Sequence, residues 1–417
     1  MNVIIFYEHL TREWNAVQSL KKGLEARGAR VRAYSIIFQR TVAIIDAFFH
    51  RPDVIFLPWF VSESHEKMLD PITKFAPNVV LINQHQEQVG SPRSESLLVP
   101  VTEIAKNGCY HFAWGEHFRD VMLKYGVEAD LVKITGNIRN DAAKSTAVDK
   151  QTLAETYGLD PNKKWVLFAE NRGWLSMRAT EATYLELIAQ GSTREELDAS
   201  LHYEQESLRK LAEDMSKLDD TFFSEFELIY RPHPGTQVFI EVPKAARIIS
   251  ERSIYDWICA SSLYITCEST SIFEADLCGV PCATLDHCEK IPEDVMAGVS
   301  DYPKMGSITE VSQELIDRLK AMQAGRDPIY QRYIGRVDGL ACQRTVEETI
   351  KIMEKQHQRP QLAKASFYMN FRHFLYEIVT YVFDKLNLIH KLKFPRSAYV
   401  ECRDIPYSKE NKWIRGK

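Results

Sequence analysis

Short, continuous apolar runs alternate with longer stretches of helical period along most of the chain. Runs at 3–7, 31–34, 53–58, 78–83, 110–116 and 131–135 read as strands buried on both faces, as in a central parallel sheet. Each breaks into a polar turn. The first turn, Glu8 to Glu13, leads into a helix that stops at Arg27-Gly28. Strand, helix and strand in that order imply a right-handed parallel crossover. The turn cluster Gly158-Leu159-Asp160-Pro161-Asn162 then separates this series from a second. The second has strands at 165–169, 227–230, 263–267 and 283–285. Its helices include one opening at Ser192-Thr193-Arg194-Glu195-Glu196 and continuing through Leu208, Leu211, Met215 and Leu218. Further helices are expected at 309–322 and 345–356. The pattern predicts two doubly wound α/β domains, 1–145 and 146–355, followed by an appendage at 356–417.

The appendage has its own pattern. Phe367, Phe371, Phe374, Leu375, Ile378, Val382, Leu386 and Ile389 fall on one helical stripe, flanked by Arg372, Lys385, Lys391, Lys393 and Arg396. Two readings stand: a helix packed back on the body, or an in-plane helix at a membrane or partner. Charge sharpens the second. Residues 361–417 carry 11 Lys and Arg against 5 Asp and Glu, so a net of +6 there leaves −11 for the rest of a chain whose total is −5. A basic tail on an acidic body suits an anionic surface, such as the inner leaflet of a membrane. The net charge gives no general nucleic-acid signal.

Composition narrows the class further. A hydrophobic share of 45% and a charged share of 26% are those of a globular protein. The start, Met1-Asn2-Val3-Ile4-Ile5-Phe6, reads as a strand without the basic region or cleavage site of a signal peptide. No window supplies the roughly 18 uncharged apolar residues of a membrane span. The 8 cysteines show no disulfide framework. The expectation is a reduced, cytoplasmic protein that can sit peripherally at the membrane's inner face. Cys278, Cys282 and Cys288 lack CxxC pairs, and Asp219-Asp220 lies at a helix end, so neither group reads as a metal site.

Two turns carry the candidate chemistry. The strand at 227–230 breaks into Arg231-Pro232-His233-Pro234-Gly235, and the strand at 263–267 breaks into Glu268-Ser269-Thr270-Ser271 ahead of a helix with Glu274 in its first turn. Prolines fix the backbone leaving the first strand and so hold His233 at a set angle. An imidazole there can bond a phosphate oxygen or, when protonated, assist departure of a nucleotide. Arg231 adds a cation. Ser269, Thr270 and Ser271 offer hydroxyls and backbone donors, and Glu274 can accept from ribose hydroxyls. Ligands of α/β sheets bind at the carboxyl ends of strands.

These residues resemble a known superfamily. Strand-Arg-Pro-His-Pro followed by strand-Glu-Ser-Thr-Ser-Ile-Phe-Glu-Ala looks like the second domain of GT-B glycosyltransferases. The paired turns are similar to those of bacterial sialyltransferases, of capsule 3-deoxy-manno-octulosonic acid (Kdo) transferases, and of the CDP-glycerol glycerophosphotransferases of teichoic acid synthesis. Thr135-Gly136-Asn137-Ile138-Arg139-Asn140-Asp141 resembles the Gly-Asn-Pro-Arg-x-Asp turn of surface carbohydrate biosynthesis enzymes, with Ile138 in place of proline. The layout also resembles the non-hydrolysing UDP-GlcNAc 2-epimerase, but Ser269-Thr270-Ser271 stands where that family has glycines, and Glu274 stands alone.

The resemblance implies two Rossmann-like domains facing each other across a cleft. It implies a metal-independent sugar transfer with no cofactor beyond a nucleotide-sugar donor, preferably CMP-linked. The acceptor would be a surface polysaccharide or a lipid-linked glycan. By the same resemblance, His233, Ser269, Thr270 and Ser271 hold the donor's phosphate and Glu274 its ribose. The alternatives are a glycerophosphotransferase, an epimerase-like enzyme and a non-catalytic assembly protein. A base or nucleophile must come from another strand end, and Glu87 with His85, Glu116, Asp141, and Glu170 with Arg172 are the candidates.

Overall fold

The computed structural model describes residues 1–355 except 9, 38, 142–147, 190–191, 234–237, 239 and 289–290, together with scattered positions from 371 to 382. The chain forms two compact units. One comprises Met1–Gln88, Leu97–Asp141 and everything from Ile334; the other comprises Val89–Ser96 and Ala142–Tyr333.

The first unit is built on β1 (Asn2–Tyr7), β2 (Arg30–Ser35), β3 (Val54–Leu57), β4 (Val80–Asn83), β5 (Cys109–Ala113) and β6 (Val132–Ile134). They lie in the order β2-β1-β3-β4-β5-β6, and every pairing is parallel. Successive side chains go to opposite faces, so both faces need a cover. Val3, Ile5, Phe56 and Ile82 pack with Val17, Leu20 and Leu24 of the helix Leu10–Glu25. Ile4, Phe6, Ile55 and Leu81 pack on the other face with Ala43 and Ile44 of the helix Arg40–His50 and with Leu69 and Ile72 of the helix Glu63–Phe75. This two-sided cover is why the strands read as unbroken apolar runs.

The second unit is built on β7 (Lys164–Ala169), β8 (Phe226–Arg231), β9 (Arg247–Ile248), β10 (Leu263–Thr266), β11 (Cys282–Leu285) and β12 (Lys304–Met305). Read from its β9 edge, the order is β9-β8-β7-β10-β11-β12, again all parallel. That is the dinucleotide-fold order, in which the chain winds outward from β7 and then returns to start again beside it. Val166, Phe168, Leu228 and Ile265 meet Leu211 and Met215 of the long helix Arg194–Met215 on one face. Trp165 meets Trp257 of the helix Ile254–Ala260, their ring centroids 6.2 Å apart.

The helix Ala341–Glu354, which the sequence pattern places with the second domain, lies in the first unit. Its Val346 and Ile352 complete the core beside the helix Leu10–Glu25. Gly23 permits the approach, because a Cβ there would lie 2.9 Å from Val346 Cγ2. Sequence order places this helix with its neighbours, whereas its apolar face finds its cover elsewhere. Of the expected tail helix, Phe374 and Ile378 pack on the first unit. Phe367, Lys385, Leu386, Ile389, Lys391, Lys393 and Arg396 lie outside the described residues.

Candidate functional site

The order of the second sheet rearranges the expected site. The turns after β8 and β10 are not neighbours, because β7 lies between them. The topological switch point falls between β7 and β10, where an open α/β sheet leaves a crevice for a ligand. The turn after β7 is Glu170-Asn171-Arg172, and Asn171 Oδ1 accepts the backbone N–H of Glu268, 3.2 Å away, at the end of β10. That bond ties the two turns across the switch point.

Glu170 and Arg172 are each 4% exposed. Glu170 Oε1 accepts the backbone N–H groups of Asn171 and Arg172, both at 2.9 Å, while its Oε2 is buried with no partner. Arg172 Nη1 lies 3.1 Å from His287 Nε2, and its Nε and Nη2 are buried with no partner. His287 follows β11, and Ser207 Oγ also meets its Nε2, at 2.9 Å. An arginine nitrogen can only donate, so Nε2 is the acceptor and the ring proton sits on Nδ1. That Nδ1–H is likewise buried and unpartnered. Burial, and then the neighbouring Arg172 charge, push the His287 imidazole down to about 4, so it is neutral near pH 7. Three N–H donors on two touching side chains therefore await an acceptor. Leaving such donors unpaired in a buried site costs about 1–3 kcal/mol each, or more where the group is charged. An acceptor brought against these nitrogens would offset that cost.

The helix Arg194–Met215 supplies the third wall. A capping box of Thr193 and Glu196 fixes its start. Tyr203, Ser207 and Lys210 then fall on one face. Tyr203 donates to Glu268 Oε1 at 2.9 Å, Ser207 reaches His287, and Lys210 Nζ donates to the His287 carbonyl at 3.1 Å. Burial, and next the Glu268 charge, raise the Tyr203 hydroxyl far above its usual value.

The residues expected from sequence divide. Ser269 and Ser271 are half-buried just beyond the end of β10 at this switch point, their hydroxyls 2.6 Å apart, with Tyr264 also meeting Ser271. Thr270 and Glu274 are half-buried, Glu274 in the first turn of the helix Ile272–Leu277. That helix has only 6 residues, too few for its dipole to add much. His233 stands exposed two positions beyond the end of β8, and Pro234 and Gly235 lie outside the described residues. Arg231 is buried at the end of β8. It points its Nη1 and Nη2 at the carbonyls of Glu251 and Arg252, 2.8 and 2.6 Å away, and so clamps a loop.

In the first unit, Asp141 meets the start of the helix Ala341–Glu354. Its two carboxylate oxygens accept the N–H groups of Ala341 and Cys342, at 2.9 and 2.7 Å, at the start of the last helix. Glu116 is exposed on a helix surface and pairs with Arg119 at 3.3 Å. Glu87 is exposed in a loop that Gln88 fastens, with Nε2 donating to the carbonyls of Gln84, His85 and Phe112. His85 is buried at φ 46, a conformation rare without glycine. Its Nε2 lies 2.9 Å from His111 Nδ1, and His111 Nε2 lies 3.1 Å from the Lys106 carbonyl. Burial lowers both imidazoles, His111 to about 4.

What the sequence reading missed in this unit is a pocket at the carboxyl edge of its sheet, lined by Glu13, Gln84, Gln86, Trp114, Asn137 and Arg139 among others. Glu13 is 1% exposed and accepts the N–H of Glu8 at 2.9 Å, closing the turn after β1. A buried carboxylate in the first turn of the first helix was the available signal. In the second unit the missed residues are Tyr203 and Ser207, one helical turn apart, and His287, 80 residues beyond Ser207, and they carry no motif.

No protein-family model and no curated protein matches the chain. Solved structures do. The wall teichoic acid polymerase TagF superposes with a TM-score of 0.55 at 12% identity, covering 85% of this chain and 90% of that one. The UDP-GlcNAc 2-epimerase of Methanocaldococcus jannaschii gives a TM-score of 0.50 at 14% identity, covering 84% and 99%. The Neisseria meningitidis enzyme bound to UDP-GlcNAc gives 0.50 at 13% identity, covering 84% and 100%. Identities this low establish likeness of fold, and the fold is GT-B: two doubly wound α/β units, each built on a six-stranded parallel sheet.

Proposed function

We propose that this chain is a glycosyltransferase that takes a sugar from a nucleotide-activated donor and passes it to a surface polysaccharide or a lipid-linked glycan. A CMP-linked acidic sugar is the preferred donor. The observation that carries the reading is the buried Arg172–His287 pair with its three unpartnered donors at the switch point between β7 and β10. A CMP-linked acidic sugar brings two anions, a phosphodiester and a carboxylate, to such a place. Arg172 would hold fixed positive charge where the departing phosphate gathers negative charge. Glu170 Oε2 would accept from a ribose hydroxyl or a base amine, and Ser269, Thr270 and Glu274 would line the same crevice. His233, exposed at the end of the neighbouring strand, would assist departure when protonated.

A second reading is transfer of glycerol phosphate from a CDP-glycerol-type donor. A diphosphate has more oxygens to meet the same three donors, and a teichoic acid polymerase shares the fold. Incubation with a CMP-linked acidic sugar, CDP-glycerol or UDP-GlcNAc, with and without glycan acceptor, separates the possibilities. Acceptor-dependent release of CMP from the acidic-sugar donor is the expected result. Release of CMP from CDP-glycerol alone would establish the second reading. Isomerisation of UDP-GlcNAc without acceptor would replace both with an epimerase, and turnover of no donor would point to a non-catalytic assembly protein.

A further inference from the structure

We infer that Cys259 and Cys278 form a reversible oxidation site, a dithiol that low-molecular-weight disulfides convert to an intrachain disulfide. Their Sγ atoms lie 3.3 Å apart. A disulfide holds its sulfurs about 2.05 Å apart, so the two need close by only about 1.2 Å. Cys259 is exposed and Cys278 half-buried, so a small reagent can reach the pair. This chemistry is independent of the proposed sugar transfer.

Both sulfurs stand on pinned backbone. Cys259 lies near the end of the helix Ile254–Ala260. Its neighbours Trp257 and Ile258 are fully buried, and Trp257 Nε1 donates to the Glu251 carbonyl at 3.0 Å. Just past the helix, the Ser262 N–H donates to the Trp165 carbonyl at 2.8 Å, and the chain enters β10. Cys278 closes the helix Ile272–Leu277. Gly279 follows at φ +72°, its N–H donating to the Asp276 carbonyl and that of Val280 to the Ala275 carbonyl, each at 3.0 Å. Those paired bonds are the Schellman ending of a helix, and they leave Cys278 little freedom to swing away. A bond between the two sulfurs closes a loop that contains β10 and the turn Glu268 to Ser271 at the switch point.

The exchange takes two steps. The Cys259 thiolate attacks one sulfur of the reagent RSSR, and RS⁻ leaves with the electron pair of the broken bond. Cys278, its proton given to solvent, then attacks Cys259 Sγ in the mixed disulfide and expels the second RS⁻. Two thiols lose two protons and two electrons, and RSSR is reduced to two RSH. Selectivity among the described cysteines follows from burial. Cys109, Cys267 and Cys282 are buried. Burial pushes the Cys282 thiol far above its usual value and the Cys342 thiol up to about 11, which starves both of the reactive thiolate. Half-buried Cys288 is the internal comparison.

The experiment treats the full, folded chain with oxidised glutathione, quenches with an alkylating agent and maps the peptides by mass spectrometry. It is run for the natural protein, Cys259→Ser and Cys278→Ser. The natural protein is expected to form a link between residues 259 and 278, its mass falling by two hydrogens. That link should form at least about tenfold faster than any modification of Cys288 or Cys342, and dithiothreitol should reverse it. Cys278→Ser is expected to stop at a glutathione adduct on Cys259, and Cys259→Ser to form no link. The oxidised natural protein should melt at a higher temperature than the reduced one, because the bond restricts the unfolded chain, and reductant should erase the difference. Glutathione adducts without a link in the natural protein, a link from either sulfur to another cysteine, no thiol loss at the pair, or a link that forms only after denaturation would overturn the inference. So would a lower melting temperature on oxidation, since the bond would then strain the fold.

Discussion

A single guanidinium carries the functional argument. Arg172 is held by His287 on one side and has Nε and Nη2 left over on the other. Its rigid planar fork points donors to both sides at once, whereas an ammonium is a compact point charge on a flexible stem. Arg172→Lys is therefore expected to keep the fold but to recover little nucleotide affinity, as equilibrium dialysis with labelled nucleotide would show; recovery within about twofold would mean that charge alone suffices. Arg231 contrasts with it. Both arginines end or follow a buried strand, and the sequence favoured Arg231 because prolines frame it. The structure gives Arg231 two backbone carbonyls and Arg172 none. Which of two buried arginines has its donors satisfied depends on where the 251–252 loop passes, and no local pattern reports that. Glu170 was legible as a polar residue after a strand. His287 was not, because its role comes from Ser207 and Arg172, whose only link to it is the packing of helix on sheet.

At the scale of elements, the caps and close approaches decide more than the strands do. The strands were legible because both faces of each sheet are buried, leaving unbroken apolar runs. The placement of the last helix was not, since it depends on Asp141 reaching across about 200 residues of chain, as the Ala341 bond shows. A cap and a catalyst can be told apart. Asp141→Ala is expected to cost about 1 kcal/mol in chemical denaturation with turnover nearly intact, whereas a general base would lose about 100-fold or more in kcat. Gly335, where the chain re-enters the first unit, is a sharper case. Its φ is +77°, and a Cβ there would lie 1.8 Å from the Trp114 carbonyl oxygen. Gly335→Ala is expected to destabilise the first unit by about 2–4 kcal/mol. Denaturation monitored by tryptophan fluorescence checks it, and a loss under about 0.5 kcal/mol would show that the backbone yields there.

For the whole molecule, acid is the expected weakness. His111 has its folded pKa lowered to about 4 by burial, and His85 beside it is lowered well below the ordinary value of 6.5. The unfolded chain therefore binds protons that the folded chain refuses. The stabilisation is complete above about pH 6.5 and declines as pH falls towards 4, by an amount on the order of 2–3 kcal/mol for His111 alone. Urea denaturation across that window should show the decline, and His111→Asn should flatten it; a flat profile in the natural protein would contradict the burial of the pair. The overall architecture was legible from periodicity because two winding sheets are a local, repeated pattern. The switch-point crevice was half legible. The sequence shows which strands end in polar turns, but their lateral order, with β7 between β8 and β10, exists only in the folded sheet.

The central claim is that this crevice holds a nucleotide's phosphate on Arg172. Isothermal titration with CMP, CDP and UDP, on the natural protein and on Arg172→Ala, tests it most directly. A cytidine nucleotide is predicted to bind the natural protein, and the folded Arg172→Ala variant to bind it about thirtyfold more weakly or worse. Binding of none of the three, or equal affinity in a folded Arg172→Ala variant, would contradict the claim.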